Sequence, residues 1–197
     1  MKVISSILIV FMLCSCSLKN LDYKNIPTYS DNGYINMVVE IPSGTNNKIE
    51  YNKITNKFNI DIQENKKRKI NFLPYPANYG FIPSTYMSYE YGGDGDPLDV
   101  LLISKNLNTG NVIEIIPVAI LVMNDNGEND SKIIAVPKNN DLQIIHVNSY
   151  EDLVNNYIAI KEIIELWFIN YKGNGLVEFV EWKDEYSAQN EIKRWLN

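Results

Sequence analysis

The chain has 197 residues and a formal net charge of −6, long enough for one domain to bury a core without disulfide or metal staples. That acidity argues against a nucleic-acid or anionic-surface partner. A hydrophobic fraction of 45% and an aromatic fraction of 11% are ordinary for a globular protein, and no internal repeat or low-complexity linker divides the chain.

Lys2 precedes an apolar run from Val3 to Leu13, followed by Cys14-Ser15-Cys16. A charged start and an apolar run too short to span a bilayer have the form of a secretory signal. Leu13-Cys14-Ser15-Cys16 resembles a bacterial lipoprotein signal, with Leu at minus three and a small residue at minus one from Cys16, the residue to be lipidated. The expected organisation is a signal peptide over 1–16, a polar tether over 17–33 and a folded domain over 34–197. Lipid on Cys16 would hold the protein on the bacterial cell envelope, outside the cytoplasmic membrane; the alternative is a cytoplasmic protein with an apolar extension. Both cysteines lie in this segment, so the domain has neither a disulfide framework nor a zinc site.

Tyr34 to Ile41 alternates as a strand and stops at Pro42, with Ser43 to Asn47 as a turn. Lys48 to Lys53 and Lys57 to Ile62 read as the next two strands, joined through Thr55-Asn56, and Glu64 to Lys69 as a charged loop. Prolines at 74, 76 and 83 exclude a central strand from Phe72 to Pro83, while its aromatics call for burial. The expectation there is a rigid loop lying over a core. Val100 to Ser104 and Val112 to Met123 are rich in Val and Ile, hence strands, with a turn at Asn108-Thr109-Gly110. Asn124 to Ser131 is a polar turn, and Lys132 to Val136 a short strand stopped by Pro137.

Helical spacing comes late. Ile160, Ile163, Ile164, Trp167, Phe168 and Tyr171 fall on one face, and Lys172-Gly173 ends the helix. Leu176 to Trp182 returns as a strand, and Ala188, Ile192, Trp195 and Leu196 form a terminal amphipathic helix. Short strands followed by helices give an α+β fold, a small closed barrel with helices packed outside.

The stretch Gly92-Gly93-Asp94-Gly95-Asp96-Pro97-Leu98-Asp99-Val100 gathers three carboxylates in six residues. Asp94 and Asp96 share one face of an extended segment and Asp99 has the opposite parity, so convergence needs the bend that Gly95 and Pro97 permit. Two carboxylates about 4 Å apart repel by about 1 kcal/mol in water and about 4 at an effective dielectric near 20, so the cluster needs cations or protons to neutralise it. Oxygen ligands select a hard one: magnesium, manganese or calcium. An EF-hand register fails, since Leu98 stands where an oxygen ligand belongs and Asp99 where the glycine belongs. Asp125 and Asp130 form a second acidic pair, and Glu40 and Glu50 occupy strand positions. Lys48, Arg68, Tyr79, Lys132, Tyr171 and Lys172 supply cations and phenols. Carboxylates for hard cations, opposed by such donors, suit a small, highly charged phosphate compound.

Here the sequence resembles a family I soluble inorganic pyrophosphatase. The matching pieces are Glu40-Ile41-Pro42, Lys48-Ile49-Glu50-Tyr51, the run Tyr75 to Pro83, Asp94 to Val100, Asp125 with Gly127 to Lys132, and Tyr171-Lys172-Gly173. They occur in the family's order across residues 34–197. The resemblance implies an oligonucleotide-binding-like, five-stranded barrel with flanking helices. It implies magnesium-dependent hydrolysis of pyrophosphate to two phosphates by in-line attack of a metal-activated water. Asp94, Asp99, Asp125 and Asp130 would hold several Mg2+ ions, with Glu50 in the outer shell, Glu40 in support and Lys132 bracing the acids. Asp96 would take the proton of the water or orient it. Lys48, Arg68, Tyr79, Tyr171 and Lys172 would bind phosphoryl oxygens. The register before Tyr75 leaves Lys67 as an alternative to Arg68, whose bidentate fork makes it the preferred residue. Bacterial relatives imply a homo-oligomer. The competing reading, a calcium-binding envelope module, uses the same aspartates but has no use for the phosphate donors.

Overall fold

Runs of Val, Ile and Leu set the main strands, and the computed structural model, which describes residues 21–125, 127–173 and 175–197, builds one mixed seven-stranded sheet and two two-stranded ones. In chain order the strands are β1 (Ile35–Ile41), β2 (Ile49–Asn52), β3 (Lys57–Ile60), β4 (Ile62–Gln63), β5 (Lys66–Lys67), β6 (Asn78–Phe81), β7 (Asp99–Leu102), β8 (Val112–Asp125), β9 (Glu128–Asn129), β10 (Lys132–Pro137) and β11 (Val177–Asp184). The two α-helices are α1 (Tyr150–Asn170) and α2 (Glu185–Arg194). Beside the two-stranded sheets β2–β3 and β4–β5, the main sheet runs β1-β6-β7-β10-β8-β11, and β8 pairs with β1 as well. β8 can serve four neighbours, β1, β10, β11 and the short β9, because it is 14 residues long. Its first residues pair with β1, its middle with β10 and its end with β11. Among the described pairings of this sheet only β7 with β10 is parallel. Register shifts at Val39/Ile41, Ile134/Ala135 and Phe179/Glu181 mark irregularities of the bulge kind, which bend strands.

The central strands read as continuous apolar runs because both their faces are covered. Leu101 and Ile103, with Ile134 and Val136, join one core under Leu153, Ile164, Trp167 and Phe168 of α1. Val100 and Leu102, with Ile133 and Ala135, join the other under Ala188 and Ile192 of α2 and the following Trp195. Each fully buried Ile or Leu contributes roughly 1.5–3 kcal/mol. Ser149 caps α1 by accepting the Asp152 N–H at 3.1 Å, an interaction worth about 1 kcal/mol.

The stretch from Phe72 to Pro83 differs from expectation. Asn78–Phe81 is a fully buried strand hydrogen-bonded to β1 on one side and β7 on the other. Its residues fit between Pro76 and Pro83, so no proline interrupts either ladder. Gly80 is required there, since a Cβ would lie 1.9 Å from the Val38 carbonyl oxygen. Phe72 and Leu73 are exposed, while Tyr75 and Tyr79 carry the burial. Glu64 to Lys69, expected as a loop, contains the hairpin β4–β5. Glu64 and Asn65 turn it at φ 52° and 62°, the conformation that matches strand twist. Helix α1 begins at Tyr150, before the apolar stripe, and Ile163 of that stripe is 57% exposed. Tyr157, at φ −142° and ψ 37°, kinks the helix, yet Leu153 before it and Ile164, Trp167 and Phe168 after it bury in the same core. In α2 the expected face holds for Ala188, Ile192 and Trp195, but Leu196 is exposed.

Residues 22–33, expected as tether, lie against the domain. Tyr23 packs edge-on to Tyr51 and Phe58 at 5.5 and 4.9 Å, and buried Thr28 donates to the Pro83 carbonyl at 2.8 Å. Cys16 and the rest of the expected signal lie outside the described residues. No helix among the described residues is long and apolar enough to cross a membrane.

Candidate active site

Strand ends and their loops deliver charged side chains to one cleft. β1 contributes Glu40 and β6 Tyr79; Lys48 precedes β2, which carries Glu50. Arg68 follows β5, tied to Lys48 by a backbone bond of 3.1 Å. Asp99 starts β7, Asp125 ends β8, and Asp130 and Lys132 stand at the start of β10. Tyr171 and Lys172 close the C-terminal end of α1. All of them line the cleft with Asp94 and Asp96.

The bend at the Asp cluster is built locally. Asp94 Oδ1 accepts the Asp96 N–H at 2.9 Å, an Asx turn. Gly95 adopts φ 81° and bonds through its N–H to the Met87 carbonyl at 2.7 Å. A Cβ on Gly95 would meet the Tyr89 hydroxyl at 2.5 Å, so glycine answers both the positive φ and the close approach.

Lys132 is 3% exposed and donates to Asp99 and Asp130 together. Burial opposes its charge, yet Asp130 and Asp99 lift the ammonium well above the usual lysine range. For Asp130, burial raises the carboxyl but the Lys132 ammonium outweighs it and leaves it lowered. Lys172 pairs with Asp125; its ammonium is raised because Tyr171 and the Asp125 bond overcome burial. Burial lifts Asp94 above the ordinary carboxyl range. Glu40 accepts the Tyr51 N–H at 2.7 Å, yet burial pushes it up to about 8 against that bond and Lys48. Lys48 itself lies 3.4 Å from Glu50 and 5.4 Å from the Tyr79 ring centre. Burial works against its ammonium, but Tyr75, Asp99 and Glu40 raise it.

The acids are all oxygen donors, the kind a hard divalent cation takes. Among the described residues no three acidic, histidine or cysteine side chains converge on one metal position. Lysine ammoniums stand at those carboxylates instead, Lys132 at Asp99 and Asp130 and Lys172 at Asp125. Seven carboxyl groups face six cationic side chains in the cleft, and Glu40 at about 8 is neutral at pH 7. Fixed charge alone therefore leaves the cleft close to neutral.

Residues 37–197 match the family model described as inorganic pyrophosphatase. The chain belongs to the inorganic pyrophosphatase family. It is 35% identical over 167 residues to the inorganic pyrophosphatase of Synechocystis sp., covering 83% of this chain and 90% of that one. Against the inorganic pyrophosphatase of Saccharolobus solfataricus the identity is 36% over 165 residues, covering 81% and 88%. The crystal structure of the inorganic pyrophosphatase from Thermus thermophilus superposes with a TM-score of 0.75 at 28% identity, covering 89% of this chain and 97% of that one.

In this member of the family Arg68, and not the exposed Lys67, lines the cleft. Arg68 Nη1 lies 3.2 Å from Asp61 Oδ2. Two further lysines, unforeseen from sequence, stand at the cleft. Lys53 Nζ reaches Asp96 Oδ1 at 2.7 Å and the Gly95 carbonyl at 3.3 Å. Lys24 comes from the segment before β1, ahead of the matched residues. Lys53 ends the expected strand Lys48 to Lys53 and Lys24 falls in the expected tether, and no motif marks either one.

Proposed function

We propose that the chain hydrolyses inorganic pyrophosphate to two phosphates by in-line attack of a water activated by magnesium ions. The observation that carries this reading is the meeting of Asp94, Asp99, Asp125 and Asp130 with Lys48, Arg68, Tyr79, Tyr171 and Lys172 in one cleft. A cleft with nearly balanced charge gains little from a bare polyanion, but one that arrives with divalent cations adds little net charge. The four aspartates would hold such ions, which would lower the pKa of a water toward neutrality and polarise phosphoryl oxygens.

The chain's own residues supply the rest. Asp96, at the cleft mouth, takes the proton as the water oxygen bonds to one phosphorus. The bridging P–O bond then breaks, and its electron pair leaves on the second phosphate. Lys48, Arg68 and Lys172 stabilise the charge that grows there, and the Tyr79 and Tyr171 hydroxyls hold the remaining oxygens. Lys132 holds Asp99 and Asp130 together at one side of the cleft, while Glu50 and Glu40 brace Lys48.

The ring of pairings from β1 through β6, β7, β10 and β8 back to β1 supports reading the sheet as a closed, five-stranded, oligonucleotide-binding-like barrel. By kinship the working form is a homo-oligomer. The Lys2 to Cys16 pattern supports a lipid anchor outside the cytoplasmic membrane.

A calcium-binding module remains the rival to exclude by experiment, although nothing in the comparisons favours it. Phosphate release from pyrophosphate is expected with magnesium and not with calcium alone. Calcium binding with no phosphate release under magnesium would reverse the reading.

A further inference from the structure

The N-terminal segment joins the domain beside an aromatic face. The Lys24 carbonyl accepts the Ser84 N–H at 3.0 Å, and the Ile26 carbonyl accepts the Ser84 hydroxyl at 2.8 Å. Just beyond Ser84, Tyr86, Tyr89 and Tyr91 are 39%, 70% and 65% exposed. Leu196, also exposed, bridges to Thr85 at the same edge, and exposed Leu21 begins the described chain. Single exposed apolar side chains are ordinary, but a local group of them marks a contact surface.

The rings sit on a fixed loop. The Gly93 and Gly95 N–H groups bond to the carbonyls of Ser88 and Met87 at 3.0 and 2.7 Å, and Arg194 Nη2 reaches the Tyr91 carbonyl at 3.4 Å. A preformed loop binds with little ordering cost. Tyrosine suits a bilayer surface as it does a protein one, since its ring sits at the headgroup level while its hydroxyl stays wet.

Chain length then decides the occupant. Residues 17–20 alone separate Cys16 from Leu21, a reach of at most about 18 Å. A lipid on Cys16 would keep this face next to the bilayer, where weak contacts act at high effective concentration.

We propose that Tyr86, Tyr89 and Tyr91 form a docking face for the phospholipid headgroup region of the membrane that holds the anchor. The inference rests on the lipid-anchored reading. The net charge of −6 gives no polybasic attraction to anionic lipid, so the contact belongs to the rings and forms on zwitterionic lipid.

Cleavage before Cys16 leaves that residue as the one native cysteine, with its thiol taken by lipid, so a probe can be placed elsewhere. Full-length Tyr91→Cys and Ile163→Cys chains are expressed with lipidation and labelled with a polarity-sensitive fluorophore. They are then reconstituted into phosphatidylcholine vesicles, with the mass of the Cys16 peptide measured. Ile163 is exposed on α1, which packs on the other core. The expected result is a blue shift and loss of iodide quenching at position 91 and neither change at 163. A lipidated Cys16 with no difference between the two sites overturns the docking and leaves the anchor standing. An unmodified Cys16 overturns both. A shift at 91 that follows protein-to-lipid ratio assigns the face to a second copy of the chain and also overturns the docking.

Discussion

Replacing Lys132 by Met removes a buried ammonium while keeping most of its volume. Two carboxylates bonded to one nitrogen, Asp99 and Asp130, cannot be more than about 5 Å apart. Unshielded at that separation they repel by roughly 3 kcal/mol at an effective dielectric near 20. Breaking a buried ion pair costs about 3–5 kcal/mol by the same physics. Lys132→Met is therefore expected to lose about 3 kcal/mol in urea unfolding at pH 7.5 with EDTA present. Excess magnesium, taking the place of the lost charge between the aspartates, is expected to recover most of that loss. Equal losses with and without magnesium would show that the acidic cluster takes no cation. Unchanged stability in EDTA would show that Lys132 does not hold the two acids together.

Gly80→Ala is expected to leave no cooperative thermal transition, because its Cβ would stand 1.9 Å from the Val38 carbonyl oxygen in a strand paired on both sides. A melt within a few degrees of the parent would refute the tight β1–β6 approach. Glu40 is raised from 4.5 unfolded to about 8 folded, so the folded state binds its proton more tightly. That contribution is complete below pH 4.5 and is lost as pH rises through 8. Metal-free stability should fall across this window, and Glu40→Gln should flatten the fall; parallel curves for the two proteins count against the buried carboxyl. Cys16→Ser is expected to move the protein from the membrane fraction to the soluble one or to leave it unprocessed, and identical fractionation with a soluble wild type would refute the anchor.

The sequence made the strands legible wherever Val and Ile ran unbroken, as in β7, β8 and β10, because burial on both faces tolerates few polar residues. It hid β6 because Pro74, Pro76 and Pro83 look like barriers until the ladder proves short enough to fit between them. The start of α1 was hidden as well, since its first turns carry Glu151, Asp152, Asn155 and Asn156 and the apolar stripe begins only after the kink at Tyr157. The site was more legible than the fold around it. Its residues sit in short, dense motifs such as Asp94 to Asp99, where chemistry rather than packing fixes identity. Lys53 and Lys24 escaped because a lone lysine at a strand end or in a polar segment is usually a solvated charge. Only the fold, which brings the β2–β3 turn to Gly95 and Asp96, shows what Lys53 faces. Nor could the Val38 to Val112 pairing be read from local pattern, since it joins strands far apart in sequence.

The central claim, that the aspartate cleft performs the hydrolysis, is tested most directly by phosphate release from pyrophosphate at saturating magnesium for wild type and Asp99→Asn side by side. Asp99 starts β7, lines the cleft and shares Lys132 with Asp130, so the amide removes charge at its centre without removing volume. The expected result is rapid release by the wild type, with loss of at least about two orders of magnitude in Asp99→Asn, equivalent to about 3 kcal/mol of transition-state stabilisation. An equally well-folded Asp99→Asn protein, checked by thermal melt, that turns over at the wild-type rate would contradict it.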